Sequence, residues 1–286
     1  MIELKKISTA PNLTFDVMIC GAEDAPLVLL LHGFAESFHM WRSQMPALAA
    51  AGYRAVAPSQ RGYSAGARPD TREPANYSFD HLINDALSIA AACGDAHGRF
   101  HVVGHDWGGS IAWGIADRCP KRVASLTVLS RPHPNAFNRA LAAPDGEQKR
   151  RSSHHWWFLE ADATARILAD DSRWLRERLK ANNVPDAAIA EHVAVLGNPD
   201  TMEAALTWYR ARGAIRAPIG AIKVPTLFIW GDADDTVGRM AAEGTQEFVA
   251  APYQFVELPG IGHFAADQAP DQITALLLAH LAAHPA

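Results

Sequence analysis

The stretch Val102-Val103-Gly104-His105-Asp106-Trp107-Gly108-Gly109-Ser110 stands directly after an apolar strand pattern and directly before a helical one. A sharp strand-to-helix turn brings backbone segments so close together that Gly104 and Gly108 must be small. The pattern is that of the nucleophile elbow G-x-S-x-G, with aspartate in the place of serine. Asp106 would project above a sheet at a helix N-terminus, where the helix dipole favours an ionised carboxylate. The alternative role for this aspartate is a helix cap.

Short apolar runs alternate with helical patterns on both sides of this stretch. The runs predict buried strands at residues 27–31, 53–57, 100–103, 123–129, 226–230 and 254–258, and the periodicity predicts helices at 79–92, 108–117, 239–249 and 272–283. This alternation predicts an α/β fold, in which helices cover both faces of a mostly parallel central sheet.

The alternation stops at about Ser130 and resumes at about Val224. The residues between them give only helical patterns, at 156–170, 172–181, 186–195 and 201–210. Such a stretch is either a separate domain or a cap over the sheet, and its two flanking strands favour an insertion. We therefore expect a core domain formed by residues 1–130 and 224–286, with a helical cap, or lid, at 131–223.

Three further segments follow predicted strands and would reach the same edge of the sheet as Asp106. Pro259-Gly260-Ile261-Gly262-His263-Phe264 places a histidine there, and Trp230-Gly231-Asp232-Ala233-Asp234-Asp235 offers three acids. Leu31-His32-Gly33-Phe34 ends the first of the parallel strands. A backbone N–H of this last segment, together with that of Trp107, would bind an oxyanion. The chain therefore carries a nucleophile, an acid and a histidine in that order.

With these motifs the sequence resembles the α/β-hydrolase fold family, and within it the branch of epoxide hydrolases and haloalkane dehalogenases, whose nucleophile is aspartate. The resemblance covers nearly the whole chain and rests on His32-Gly33-Phe34, Gln60-Arg61-Gly62-Tyr63-Ser64, Gly104 to Gly109 and Gly262-His263. It implies an α/β-hydrolase fold. It also implies that Asp234, in a G-x-x-D motif, is the acid that orients His263. Asp232 and Asp235 stay as alternatives for this role, because they are close to Asp234 in the sequence.

An aspartate nucleophile has a chemical consequence. Attack by a carboxylate on an ester would form a labile anhydride, whereas attack on an sp3 carbon with a leaving group forms a stable alkyl ester of the enzyme. Hydrolysis of that ester would need His263, oriented by Asp234, to deprotonate a water that attacks the carboxyl carbon of Asp106. The backbone N–H groups of Phe34 and Trp107 would hold the resulting oxyanion.

The predicted cap determines which leaving group the site accepts. Leu206-Thr207-Trp208-Tyr209-Arg210 resembles the segment that holds the second of two cap tyrosines in epoxide hydrolases, which implies that Tyr209 donates to the epoxide oxygen. Where the first tyrosine should fall, the sequence has Ser153-His154-His155-Trp156-Trp157-Phe158. We take His155 as its replacement, with His154 as the alternative. Trp156 and Trp107 are expected to contact the substrate.

Three functions remain in view, and the first is an epoxide hydrolase that converts an apolar or aromatic epoxide to a diol. The second is a haloalkane or haloacid dehalogenase with the same triad, because a His-Trp pair followed by a cap tyrosine is similar to haloacetate dehalogenases. Those enzymes carry arginine after the nucleophile, where this chain has Trp107. Haloalkane dehalogenases often carry asparagine at the position where this chain has Phe34. These two differences from dehalogenases favour an epoxide as the substrate. The third function, a non-catalytic ligand receptor, would not need His263.

Composition excludes several other classes of protein. The chain has 286 residues, 49% of them hydrophobic, and a formal net charge of -5, which gives no basic surface for nucleic acid. Its three cysteines show no C-x-x-C spacing, and no H-E-x-x-H or G-x-G-x-x-G motif indicates a metal or cofactor. The first residues lack the apolar run of a signal peptide. We expect a cytoplasmic enzyme that acts on a small apolar electrophile and needs no metal, cofactor or membrane. A homodimer is possible from the sequence.

Overall fold

The computed structural model of the chain describes residues 1–94, 98–211 and 218–286. The strands in these ranges form one eight-stranded sheet and are β1 Glu3–Ala10, β2 Leu13–Cys20, β3 Leu27–Leu31, β4 Arg54–Pro58, β5 Phe100–His105, β6 Val123–Leu129, β7 Thr226–Gly231 and β8 Tyr253–Leu258. Their order across the sheet is β1-β2-β4-β3-β5-β6-β7-β8. β2 is antiparallel to both of its neighbours, and the strands from β4 to β8 are parallel. The predicted mostly parallel sheet is confirmed.

The central strands are buried along their whole length. β3, β5 and β6 read LVLLL, FHVVGH and VASLTVL, and each of their residues is buried. Near-continuous apolar runs of this kind are typical of parallel strands that helices cover on both faces. The hairpin of β1 and β2 was not among the predicted elements. β1 lies at the edge of the sheet, where alternate residues are half-buried and the others are exposed. Its sequence therefore lacks the apolar run that marks a buried strand.

Helices pack on both faces of the sheet. Their bounds are α1 Gln44–Ala50, α2 Phe79–Ala92, α3 Trp107–Arg118, α4 Pro134–Leu141, α5 Glu147–Arg151, α6 His154–Trp157, α7 Ala163–Ala181, α8 Asp186–Leu196, α9 Pro199–Arg210, α10 Arg239–Gly244, α11 Ala265–Gln268 and α12 Pro270–Ala283. One apolar cluster includes Leu82 of α2 and Ile111 of α3, and a second includes Leu48 of α1 and Leu277 of α12. In the ranges that the structure covers, no helix has both the length and the apolar character needed to cross a membrane.

The described residues between β6 and β7 contain helices α4 to α9, and we call Pro134–Arg210 the helical insertion. The helix predicted from residue 156 is wrong at its start, because α6 ends at Trp157 and α7 begins at Ala163. Further along, α7 has a kink at residues 169–172, where the sequence had predicted a break between helices. The division into a core at 1–130 and 224–286 and a cap at 131–223 stays a prediction.

The turn between β5 and α3 has the geometry that its glycines imply. Asp106 has φ 48° and ψ −114°, a conformation that non-glycine residues rarely adopt. A Cβ on Gly104 would lie 2.3 Å from the carbonyl oxygen of Gly108, and one on Gly108 would lie 2.2 Å from that of Leu31. These contacts are with backbone, which cannot move aside as a side chain can. The two glycines therefore allow the turn that presents Asp106.

We expect Gly104→Ala to lower the free energy of unfolding by about 3 kcal/mol, because forcing an extra carbon into a packed site costs roughly 1–3 kcal/mol or more. Gly260→Ala is the matched control. Its φ is 72°, but no atom lies within 4 Å of the added Cβ, so only the backbone strain remains. That strain costs about 1 kcal/mol. Urea unfolding measures both losses, and equal losses would contradict the role given to the contact at Gly104.

Candidate active site

Four loops meet at the carboxyl edge of the parallel sheet. Asp106 follows β5, Asp234 follows β7, His263 follows β8 and Phe34 follows β3. In open α/β sheets this edge is the usual place for ligands, because loops from neighbouring strands converge there. The structure thus brings together residues that lie more than two hundred positions apart in the sequence.

The three residues expected to form a triad are buried and in contact. The Nδ1 atom of His263 lies 3.0 Å from Oδ2 and 3.1 Å from Oδ1 of Asp234. Its Nε2 atom lies 3.8 Å from Oδ2 of Asp106. Nδ1–H therefore donates to Asp234, and Nε2 is left facing Asp106 with the lone pair that a general base needs.

Of the three acids in the loop after β7, the structure brings only Asp234 to His263. Asp234 is fully buried, and its Oδ1 atom also accepts the backbone N–H groups of Thr236 and Val237, at 2.7 and 2.9 Å. Asp235 pairs instead with Arg178, and Asp232 accepts the N–H of Gly260 at 2.6 Å. These two backbone hydrogen bonds hold the Asp234 carboxylate in the position from which it orients the imidazole of His263.

The other side of Asp106 faces the loop after β3. The backbone N–H of Phe34 donates to Oδ1 of Asp106 at 3.1 Å. A Cβ on Gly33 would lie 2.4 Å from Cβ of Asp106, so only glycine allows the loop to approach this closely. Trp107 is the first residue of α3, so its backbone N–H lies at the N-terminus of this helix, directly after Asp106.

Asp106 carries a buried negative charge. Burial alone raises its pKa, but the positive charges of His263 and His105 when these are protonated, the charge of Arg131 and the hydrogen bond from Phe34 outweigh burial and lower the pKa to about 2. The carboxylate is therefore ionised at neutral pH, as a nucleophile must be.

Aromatic rings close over Asp106. The ring of Tyr209, from α9, lies 5.0 Å from that of Phe158, 5.2 Å from that of Trp107 and 5.6 Å from that of Phe34. Together with Asp106 and His263, Tyr209 and Phe158 line a cavity of about 20 Å³, which we call the inner cavity. A cavity of this size has room for about one water molecule. Entry of a larger molecule therefore requires these side chains to move.

The residues of α6 lie on two different sides of this aromatic cluster. His154 lines the inner cavity with Asp106, whereas His155 lines a separate cavity and places its ring 5.5 Å from that of Tyr209. Trp156 lines that separate cavity too and is 67% exposed. The structure therefore brings His154, and neither His155 nor Trp156, to the cavity at Asp106.

Sequence reasoning missed Arg131, a buried cation near Asp106. Its Nε atom donates to Oγ of Ser110 at 2.8 Å, and its guanidinium carbon lies 4.6 Å from the centre of the Phe137 ring. Ser110 is in the first turn of α3, one turn after Asp106. The signal in the sequence was a charged residue two positions after a buried strand at the functional edge.

Two contacts that support His263 were also missed. Its backbone N–H donates to Oδ1 of Asn182 at 3.0 Å, and its carbonyl oxygen lies 2.9 Å from Nε2 of His105. The Nδ1 atom of His105 lies 3.0 Å from Oε2 of the buried Glu36. Burial lowers the pKa of His105, but the Glu36 carboxylate outweighs burial and raises it. Asn182 lies some eighty residues before His263, so no local pattern links the two.

One group of described residues has the ligand types of a metal site, namely Glu36, His192 and Asp267, all buried. The backbone N–H of Ser37 donates to Nδ1 of His192 at 3.1 Å, so the ring proton is on Nε2, which lies 2.7 Å from Oδ2 of Asp267. Both ring nitrogens are thus used, and His192 has no lone pair for a metal. The contact instead joins α8 of the helical insertion to α11.

Comparison with known sequences gives the same family as the motifs. A profile described as the alpha/beta hydrolase fold matches residues 26–270. The chain is 30% identical over 241 residues to the AB hydrolase superfamily protein YfhM of Bacillus subtilis, covering 82% of this chain and 83% of that protein. It is 28% identical over 306 residues to epoxide hydrolase A of Mycobacterium tuberculosis, covering 93% of each.

Solved structures of similar shape carry related names. A chain described among novel epoxide hydrolases in metagenomes from hot environments matches with a TM-score of 0.85 and 30% identity, covering 99% of this chain and 100% of that one. Epoxide hydrolase A of Mycobacterium thermoresistibile matches with a TM-score of 0.81 and 26% identity, covering 99% and 98%.

The lowered pKa of Asp106 predicts a pH-dependent contribution to stability. Its folded pKa of about 2 lies below the value near 3.9 of an unfolded chain. The contribution is therefore present above the unfolded pKa and is lost as the pH falls toward the folded pKa. When the pH is lowered from about 5 to about 3, the free energy of unfolding should fall in the unsubstituted protein. In Asp106→Asn it should fall by about 1 kcal/mol less, because the variant lacks the titrating carboxylate. Urea unfolding at both pH values measures this, and identical losses would contradict it.

Proposed function

The chain belongs to the α/β-hydrolase fold family, and from that membership we propose that it is an epoxide hydrolase, which opens an apolar or aromatic epoxide to a diol. The observation that carries the proposal is an ionised aspartate at the nucleophile elbow, 3.8 Å from a histidine that is paired with a buried acid. The epoxide hydrolases among its relatives support it. Serine, the usual residue at this position, would indicate an esterase instead.

In the proposed first step, Oδ2 of Asp106 attacks a ring carbon of the epoxide, because Oδ1 is held by the N–H of Phe34. A carbon–oxygen bond to Asp106 forms and the ring carbon–oxygen bond breaks. The oxygen that leaves gains negative charge, and the hydroxyl of Tyr209 donates a proton to it. As a second donor we propose a histidine of α6, and its position in the inner cavity favours His154 over His155.

In the proposed second step, Nε2 of His263 takes a proton from a water that attacks Cγ of Asp106. The Asp234 carboxylate stabilises the imidazolium that forms. The N–H groups of Phe34 and Trp107 hold the oxyanion, and such a donor is typically worth about 3 kcal/mol. The tetrahedral intermediate then collapses, and the imidazolium of His263 protonates the diol oxygen that leaves with one oxygen of Asp106. Water supplies the replacement oxygen, and the proton of the new Asp106 carboxyl group returns to the solvent and restores Tyr209.

A dehalogenase with the same triad is the alternative. A halide needs N–H donors close to the reacting carbon, and the indole N–H of Trp208 donates instead to the carbonyl oxygen of Arg61. Trp107, whose ring lies 5.2 Å from that of Tyr209, is the indole that a dehalogenase would use. Phe34 also offers no side-chain N–H where some dehalogenases have asparagine. These observations favour the epoxide, and the experiment below includes both substrates.

Trapping the alkyl ester on Asp106 tests the proposed function. Since His263 would act only in the second step, His263→Gln should still be alkylated but should not release the product. Incubation with an aromatic epoxide, followed by intact mass spectrometry, is expected to show a mass increase equal to that of the epoxide. Peptide mapping should place it on Asp106.

The double variant Asp106→Ala, His263→Gln is the matched control and should gain no mass. A mass increase with a bromoalkane alone, together with release of bromide, would replace the epoxide by a halide as the substrate. No adduct with a broad panel of either class would contradict catalysis and favour a ligand receptor.

The proton donors predict a graded loss of activity. Tyr209→Phe should lower kcat by about 100-fold, because a positioned general acid contributes 10²–10⁴-fold. His154→Gln should lower kcat more than its neighbouring control His155→Gln, because only His154 lines the inner cavity. Steady-state kinetics with an aromatic epoxide measure all three. A larger loss for His155→Gln would restore His155 as the second donor.

A further inference from the structure

The loop after β3 carries the Phe34 N–H next to a residue with a strained backbone. The N–H of Phe34 donates to Oδ1 of Asp106 at 3.1 Å. The next residue, Ala35, has φ 71°, in the left-handed region that residues with a side chain rarely adopt. A strained residue of this kind persists only where the surrounding contacts enforce its conformation. The position of the Phe34 N–H therefore depends on contacts elsewhere in the loop.

His192 of α8 supplies one of these contacts from the helical insertion. The backbone N–H of Ser37 donates to Nδ1 of His192 at 3.1 Å, and the Ser37 hydroxyl lies 3.1 Å from the same nitrogen. Both residues are fully buried, so bulk water does not replace His192 as the acceptor. A buried N–H is costly to leave without an acceptor, so the loop would move if His192 no longer accepted this hydrogen bond.

The other ring nitrogen of His192 reaches the segment that carries the proposed base. Nε2–H donates to Oδ2 of Asp267 at 2.7 Å, and Asp267 closely follows His263, in α11. Oδ1 of Asp267 is paired in turn with Nη1 of Arg42, at 2.8 Å. The hydrogen bonds at its two ring nitrogens fix the tautomer and the direction of the imidazole. One side chain of the insertion thus contacts two of the segments that meet at Asp106.

We propose that His192 is a positioning residue, which holds the loop after β3 so that the Phe34 N–H points at the oxyanion formed on Asp106. The proposal rests on the proposed function, because it assigns a role in the second step of that reaction. Asp267 would orient the imidazole of His192. Because α8 packs against α9, which carries Tyr209, the same contact relates the oxyanion donor to the proton donor.

Two substitutions of His192 separate its two contacts. The amide of asparagine is as many bonds from Cβ as Nδ1 is, and the amide of glutamine is as many bonds from Cβ as Nε2 is. His192→Asn can therefore still accept from Ser37 but loses Asp267, whereas His192→Gln does the reverse. Ser37→Ala is the matched control, because it removes the hydroxyl and keeps the backbone N–H.

We expect His192→Gln to slow hydrolysis of the ester on Asp106 by about tenfold or more, because removal of an oxyanion donor costs about 10²–10³-fold in kcat. Formation of the ester should change less, since the charge on the oxygen that Phe34 contacts falls in the first step and rises in the second. The ester should therefore accumulate during turnover of an aromatic epoxide. Rapid quenching followed by intact mass spectrometry measures its fraction. His192→Asn and Ser37→Ala should accumulate no more ester than the unsubstituted enzyme.

A His192→Gln enzyme that accumulates no ester would overturn the proposal and make His192 a structural contact only. A tenfold loss of ester hydrolysis in His192→Asn would overturn it as well, because this variant keeps the acceptor for Ser37. His192→Asn therefore decides the question if His192→Gln does not fold.

Amide hydrogen exchange separates the two proposals, because it needs no substrate. The peptide that contains residues 33–38 should exchange faster in His192→Gln than in His192→Asn or the unsubstituted protein. That result in a protein that hydrolyses no epoxide would support the placement of the loop by His192 and overturn the proposed function. Equal exchange in the three proteins would overturn the role of His192 and leave the epoxide hydrolase intact.

Discussion

The backbone of Asp106, with φ 48° and ψ −114°, adopts a conformation that costs of order 1–3 kcal/mol and persists only where the surroundings enforce it. Gly104 and Gly108 allow the strand and helix to meet around it, and Gly33 allows the loop after β3 to approach its Cβ. The Phe34 N–H then reaches the carboxylate. A larger residue at any of the three glycines would displace the groups that hold Asp106.

The charge of Asp106 is the second constraint, because a buried carboxylate has to be compensated. Arg131, His105 and the N–H of Phe34 contribute to that compensation, together with His263 when its imidazole is protonated. In the proposed reaction the negative charge leaves Asp106 when the ester forms and appears on the substrate oxygen. Tyr209 would then donate a proton to that oxygen, so that the charge leaving Asp106 is neutralised on the substrate.

The parts of the molecule that were predictable from sequence are those with a local signal. The buried parallel strands appear as apolar runs, and the elbow and its partners follow strands at one edge, so Asp106 and His263 could be chosen before their contacts were known. The same pattern offered three acids after β7, and the resemblance to the family chose Asp234 among them. Contacts made across the fold have no such signal: Arg131 and Asn182 act through partners far away in the chain. The choice between His154 and His155 depends on the short helix α6, whose direction neither periodicity nor alignment fixes.

The central claim is that Asp106 forms a covalent ester and that water attacks its carboxyl carbon rather than the epoxide. A single turnover of an aromatic epoxide in ¹⁸O-labelled water, with enzyme in molar excess, tests this directly. A covalent ester predicts an unlabelled first diol and one labelled oxygen in the peptide that contains Asp106. A labelled diol with an unlabelled Asp106 would show direct attack by water and contradict the account.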